Sequence, residues 1–200
     1  TYELVNFLKL FSCYLQPEEI PWGIQNSFRV PKLQEHWATA QMPANGVVVS
    51  LAGSIALRRF SENQLREIVE DLLHKGYVPV LVGGKDSLTV ANQFKKDKKV
   101  LFFVGNVSLI QSAALIKQAK FFIGSDSGLM HIASALSIPV IAVFGPGNLK
   151  KWQPQGEGDQ IICHNLSCAP CTYFGYTNPS CKGSYDCIKD LKIPSYIKSL

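Results

Sequence analysis

The stretch GSDSGLMHIASALSIPVIAVFGP, residues 124–146, decides the fold. Just before it runs FFI, residues 121–123, an apolar β-type run. Asp126-Ser127-Gly128 is a trio that can open a helix. Leu129 to Leu136 then read as a short buried helix, whose small Ala133, Ser134 and Ala135 allow close packing on a sheet. Pro139 ends the turn. VIAVF, residues 140–144, is apolar throughout, as a parallel strand covered on both faces is. Strand, helix start and strand in this order bring backbone N–H groups and the positive end of a helix dipole to one sheet edge. Such an edge suits an anionic group such as a diphosphate.

The same alternation extends towards the N-terminus. VVVSL (47–51), VPVLV (78–82), VLFFV (100–104) and FFIGS (121–125) read as further strands. Between them, helices are expected over Ser61–Lys75, Ser87–Lys96 and Ser108–Ala119. The first opens on the capping-type Ser61-Glu62-Asn63-Gln64 and has Gly76 just past its end. Five apolar strands separated by helices imply an α/β fold with a doubly wound, Rossmann-like parallel sheet. Earlier in the chain, residues 3–15 have the spacing of an amphipathic helix, and 16–31 form a connector with Pro17, Pro21 and Pro31. A short helix is expected from Lys32 to Gln41, followed by Pro43 and an Asn45-Gly46 turn.

At 200 residues, 46% hydrophobic and 18% charged, the chain has the composition of a single globular domain. No apolar run reaches the roughly 18–20 residues that span a bilayer. No signal-peptide pattern is present, and the opening Thr-Tyr-Glu without Met reads as a fragment or a processed chain. The net charge of +5 suits an anionic substrate or an anionic membrane surface. The lysines of FKKDKKV (94–100) read as a solvated helix end, without the interleaved aromatics of a nucleic-acid platform, so no nucleic-acid partner is expected. There is no G-x-G-x-x-G after the first strand, and Gly83-Gly84-Lys85-Asp86-Ser87 misses the P-loop spacing. Nicotinamide dehydrogenases and P-loop NTPases therefore lose their main support.

From Asp126 to Pro146 the chain reads D-S-G-x-x-H-x-A-x-A-L-x-x-P-V-x-x-x-F-G-P, which resembles the donor-binding signature of glycosyltransferase family 9. These are the ADP-heptose:lipopolysaccharide heptosyltransferases, inverting enzymes of the GT-B fold. The resemblance runs along essentially the whole chain and matches the second, donor-binding half of such an enzyme. It implies an ADP-sugar donor, with the lipopolysaccharide core acceptor held by a different, N-terminal domain. No cofactor is required for transfer. The catalytic base is expected in that other domain, so no catalytic residue is expected here.

By the same resemblance Ser54 hydrogen-bonds phosphate and Arg58 neutralises it, a task for which a guanidinium is well shaped. The family more often has Lys at Arg58 and Trp-Pro where this chain has Phe60-Ser61. The bland reading of Arg58-Arg59 is a solvated helix start. Asp86 is the nearest match to the acidic residue that holds the ribose, although a helix cap alone would explain it equally well. Val107 would lie near adenine, with Ser108 as a helix cap. Asp126, Ser127, Gly128 and His131 would meet the diphosphate or the sugar; a packing role is the alternative for His131. The expected organisation is a helical lead-in over 1–43, a nucleotide-sugar-binding domain over 44–160, and a Cys-rich loop with a C-terminal helix over 161–200. The expected setting is cytoplasmic, with peripheral contact at the inner membrane of a Gram-negative bacterium. Two other readings stay open: a Rossmann-like nucleotide- or partner-binding module without transferase activity, and another GT-B enzyme such as a nucleotide-sugar epimerase.

Five of the six cysteines follow Trp152. Cys168-x2-Cys171 and Cys181-x5-Cys187 admit three readings: four thiolates on a structural Zn or Fe, free thiols packing a loop, or a disulfide. CKGSYDCIKDLKIPSYI resembles the cysteine-bearing end of many family-9 enzymes, with a longer Cys171–Cys181 spacing. Cys13 and Cys163 read as ordinary buried thiols.

Overall fold

The computed structural model describes residues 28–53, 58–154, 156, 158–164, 166–173, 176–177, 186–189, 191–194 and 197. Strands β1 (Gly46–Ser50), β2 (Val78–Val82), β3 (Leu101–Phe102), β4 (Phe122–Ser125), β5 (Val140–Phe144) and β6 (Gln160–Cys163) form one sheet in the order β3-β2-β1-β4-β5-β6. Every pairing in it is parallel. That is the doubly wound order, whose direction of winding reverses between β1 and β4. A separate antiparallel pair joins β7 (Thr172–Tyr173) to β8 (Tyr176–Thr177).

The apolar runs of β1 and β5 are buried at all five positions because both faces of the sheet are covered. Alternation splits their side chains between two cores. Val47, Val49, Ile141 and Val143 pack with Leu65, Ile68, Val69 and Leu72 of helix α2 (Glu62–His74). Val48, Val140, Ala142 and Phe144 pack with helices α1 (Lys32–Gln41), α4 (Leu109–Lys117) and α5 (Gly128–Ala135). Ala38 of α1 is fully buried there, Trp37 meets Phe103 edge-on at 5.9 Å, and Glu35 pairs with Lys117 of α4. Ser61 and Ser108 each close a capping box, with Gln64 and Gln111, and Gly76 leaves α2 at φ +80°.

The sheet differs from the expectation in one strand and one helix. β6 is a sixth strand, whose Ile162 and Ile161 face the two cores in turn. Its short QIIC segment carries too little apolar sequence to stand out. The helix expected over 87–96 is instead a 3-10 turn (Lys85–Ser87), α3 (Leu88–Ala91) and a second 3-10 turn (Asn92–Phe94). There the Gln93 amide donates to the carbonyls of Val90 and, across to α2, of Glu62. The 3–15 helix and most of the expected C-terminal helix lie outside the described residues; within the latter, 186–189 form turns.

Candidate functional site

The loops that leave β1, β2 and β4 converge at the carboxyl edge of the sheet. After β1 the chain runs Leu51-Ala52-Gly53 and, beyond 54–57, Arg58-Arg59 just ahead of α2. After β4 it turns at Asp126 and Ser127 into α5. Hydroxyls lock these turns to one another. Ser125 Oγ donates to Ala52 O (3.0 Å), and Ser87 Oγ donates to Leu51 O (3.0 Å).

Across the reversal point Arg58 Nη1 lies 3.2 Å from Asp126 Oδ2, with the side chains 16% and 6% exposed. Distance makes this an ion pair, yet its geometry is not that of a hydrogen bond. Arg58 Nε and Asp126 Oδ2 are buried and make no hydrogen bond among the described residues, and neither does Ser127 Oγ. Ser127 is the N-cap of α5 but makes no capping bond. The first turn of α5 therefore keeps its N–H groups without a side-chain cap, beside a buried cation. A Cβ built on Gly128 meets nothing within 4 Å, whereas one on Gly147 would lie 2.3 Å from Asp126 Oδ2. The backbone after β5 thus closes against the carboxylate, and no described residue crowds the Cβ position of Gly128.

One turn into α5, His131 packs edge-on against Trp152 of helix α6 (Leu149–Trp152) at 5.8 Å. Burial pushes the Asp126 carboxyl above its ordinary 3.8, against the opposing pull of Arg58 and His131. Burial likewise holds His131 below 6.5, partly offset by Asp126.

The neighbouring Arg59 turns the other way. Its Nε donates to Gly53 O (2.8 Å), and its Nη2 meets Asp86 Oδ2 at 2.5 Å. Asp86 sits within the 3-10 turn after β2, and neither helix-cap position there is its own. The solvated-helix-start reading of the two arginines does not hold, since each is bound to a carboxylate. Val107 is half-buried in the loop after β3, ahead of the cap Ser108, on the same sheet edge. Ser54 lies outside the described residues. Arg58, Asp126, Ser127, Gly128 and His131 are thus brought together, with Asp86 tied in through Arg59. Sequence reasoning did not single out Arg59 or Trp152, because their contacts cross 27 and 21 positions of chain.

The described late cysteines differ in burial. Cys168 is exposed, Cys171 half-buried, and Cys187 buried in the apolar core beside Ile188 and Leu191. Among the described residues no three His, Cys, Asp or Glu side chains converge on a point that could hold a metal ion. Cys181, the fourth of the cysteines for which a shared Zn or Fe was expected, lies outside the described residues. Cys163, expected buried, is exposed at the end of edge strand β6.

The fold is that of doubly wound α/β proteins, whose ligands bind outside the carboxyl ends of the strands where the winding reverses. The family described as "Glycosyltransferase family 9 (heptosyltransferase)" matches residues 6–180, and the chain belongs to it. Lipopolysaccharide heptosyltransferase 3 of Escherichia coli is 30% identical over 115 residues, covering 55% of this chain and 34% of that protein. The chain thus spans about a third of the curated relatives it matches. Among solved structures, E. coli ADP-heptose lps heptosyltransferase II aligns with TM-score 0.64 and 21% identity over 74% of this chain and 48% of that one. E. coli heptosyltransferase WaaC with ADP aligns at 0.56 and 22%, over 76% and 47%. These two likenesses carry the fold.

Proposed function

We propose that this chain is the donor-binding half of an inverting heptosyltransferase, which takes heptose from ADP-heptose to the lipopolysaccharide core. The observation that carries this reading is the buried Arg58 Nε, a donor with no acceptor among the described residues, beside the uncapped start of α5. A buried guanidinium with an unused N–H is suited to a phosphate oxygen. Membership of the family and the ADP in the WaaC structure support the same ligand class.

In this reading the diphosphate enters ahead of α5, where Gly128 leaves room for close approach. Arg58, held by Asp126, the α5 N–H groups and Ser54 stabilise the charge that grows on ADP as the anomeric C–O bond breaks. The acceptor hydroxyl attacks the opposite face of that carbon, giving inversion. Its proton goes to a base outside this chain, for both described carboxylates of the site are engaged by arginines. Asp86 takes the ribose and Val107 flanks the base. Contact with the inner membrane surface is peripheral in this reading, which the net charge of +5 suits; no described helix is long and apolar enough to cross a membrane.

Isothermal titration of the folded chain with ADP, UDP and GDP tests this. Binding that favours ADP is expected; absence of heat with all three nucleotides would remove the donor-binding reading.

A further inference from the structure

Two adjacent arginines leave the loop after β1 in opposite directions. Arg58 reaches the loop after β4, and Arg59 reaches the loop after β2. Because β1 lies between β2 and β4 in the sheet, the pair staples the central loop to both neighbours. We propose that Arg59 is a positioning residue that fixes the Asp86 carboxylate to receive the two neighbouring hydroxyls of a nucleoside ribose. The proposal rests on the donor-binding reading above and adds to it the group that orients the sugar of the nucleotide.

Arg59 grips both sides of the gap with one guanidinium. Nε holds Gly53 O at 2.8 Å, Nη2 holds Asp86 Oδ2 at 2.5 Å, and Nη1 lies 3.4 Å from Asp86 O. The surrounding backbone is shaped to this contact. A Cβ on Gly53 would stand 2.9 Å from Arg59 Cγ, and one on Gly84 would stand 2.6 Å from Asp86 Oδ1. Asp86 is nevertheless 57% exposed. Its carboxylate is therefore fixed through Oδ2 while the side chain stays more than half exposed, as a hydroxyl acceptor must be. An exposed ion pair adds little to stability, so what this contact supplies is orientation. Only a planar fork spans Gly53 and Asp86 together; a lysine ammonium replaces the charge but not the span.

The test compares ADP with 2′,3′-dideoxy-ADP, which lacks both hydroxyls, by titration of the whole chain and its variants. The parent is expected to prefer ADP by about tenfold or more, as for a hydrogen bond to a charged group. Asp86→Asn should bring that ratio close to one. Arg59→Ala should lower it by a similar factor, and Arg59→Lys by less. The double variant should lose no more than Asp86→Asn alone, because the two act as one unit. A merely structural Arg59 would change both affinities together and leave the ratio intact. Should Arg59→Ala fail to fold, Arg59→Lys carries the test. A parental ratio in Arg59→Lys and in any folded Arg59→Ala, or in Asp86→Asn, overturns the proposal while the donor-binding reading stands. A parent that binds neither nucleotide removes that reading and this inference with it.

Discussion

Arg58 and Asp126 illustrate a buried pair whose attraction does not repay its burial, since the Asp126 carboxyl titrates above its ordinary value in spite of the arginine. In the donor-binding reading proposed above, an entering phosphate would supply the acceptor that Arg58 Nε lacks among the described residues. Arg58→Ala is therefore expected to weaken ADP binding by about 1.5–3 kcal/mol, the worth of a hydrogen bond to a charged group; titration with ADP reads it. His131 carries a separate, pH-linked signature. Its folded value lies below 6.5, so the unfolded chain binds its proton more readily. The stabilising effect of keeping it neutral is complete above pH 6.5 and is lost as pH falls from there through the folded value. Asp126 has the opposite sign, favouring the fold below 3.8 and losing that contribution as pH rises through its raised value. Thermal unfolding between pH 7.5 and 5.5 should show a smaller loss for His131→Gln than for the parent. Equal losses would assign the dependence to other groups. Asp126, Ser127, Gly128 and His131 were legible in sequence because they lie within six positions of one another. Arg59 was not, because nothing local distinguishes an arginine bound to a distant loop from a solvated one.

Element by element, legibility follows how much of an element's shape is set by its own residues. β1, β2, β4 and β5 were readable as runs buried on both faces, and α2 and α4 were readable from their caps. β6 and the broken segment from Lys85 to Phe94 were not. β6 is held by its pairing with β5, and the broken segment is tied to α2 by the bond from Gln93 to Glu62. Helix α5 belongs to both groups: its position was plain, but its missing cap was not. Its first residue offers a test that separates folding from binding. Gly128 is helical and has nothing within 4 Å of a built Cβ, so Gly128→Ala introduces no clash. By restricting the unfolded chain it should stabilise the fold by about 0.4–1 kcal/mol. The same methyl occupies the space into which a phosphate would come, so ADP should bind more weakly. Thermal unfolding and ADP titration on one sample read both. A variant that is stabilised and binds ADP as the parent does would keep the phosphate away from the start of α5.

At the scale of the whole molecule, the strand order turns separate sequence signals into one site. Five apolar runs announced a doubly wound sheet, but which strand lies beside which is settled by packing between distant segments. The pairing of β1 with β4 in the order β3-β2-β1-β4-β5-β6 sets their loops side by side, and with them Arg58 and Asp126, 68 positions apart. The polar loops of β1 to β4 then share one edge, while the two apolar cores lie on the faces. That arrangement can grip a leaving group from one side. Displacement with inversion also needs an acceptor and a base on the other side of the sugar, and here Asp126 and Asp86 are each tied to an arginine. The chain alone should therefore bind ADP-heptose yet release no ADP above background when lipopolysaccharide core acceptor is added. A coupled assay for ADP release, run beside a titration that proves donor binding, measures both halves of that statement. Transfer by this chain alone would place a base among its own residues, and Asp126→Asn and Asp86→Asn would then show which carboxylate serves.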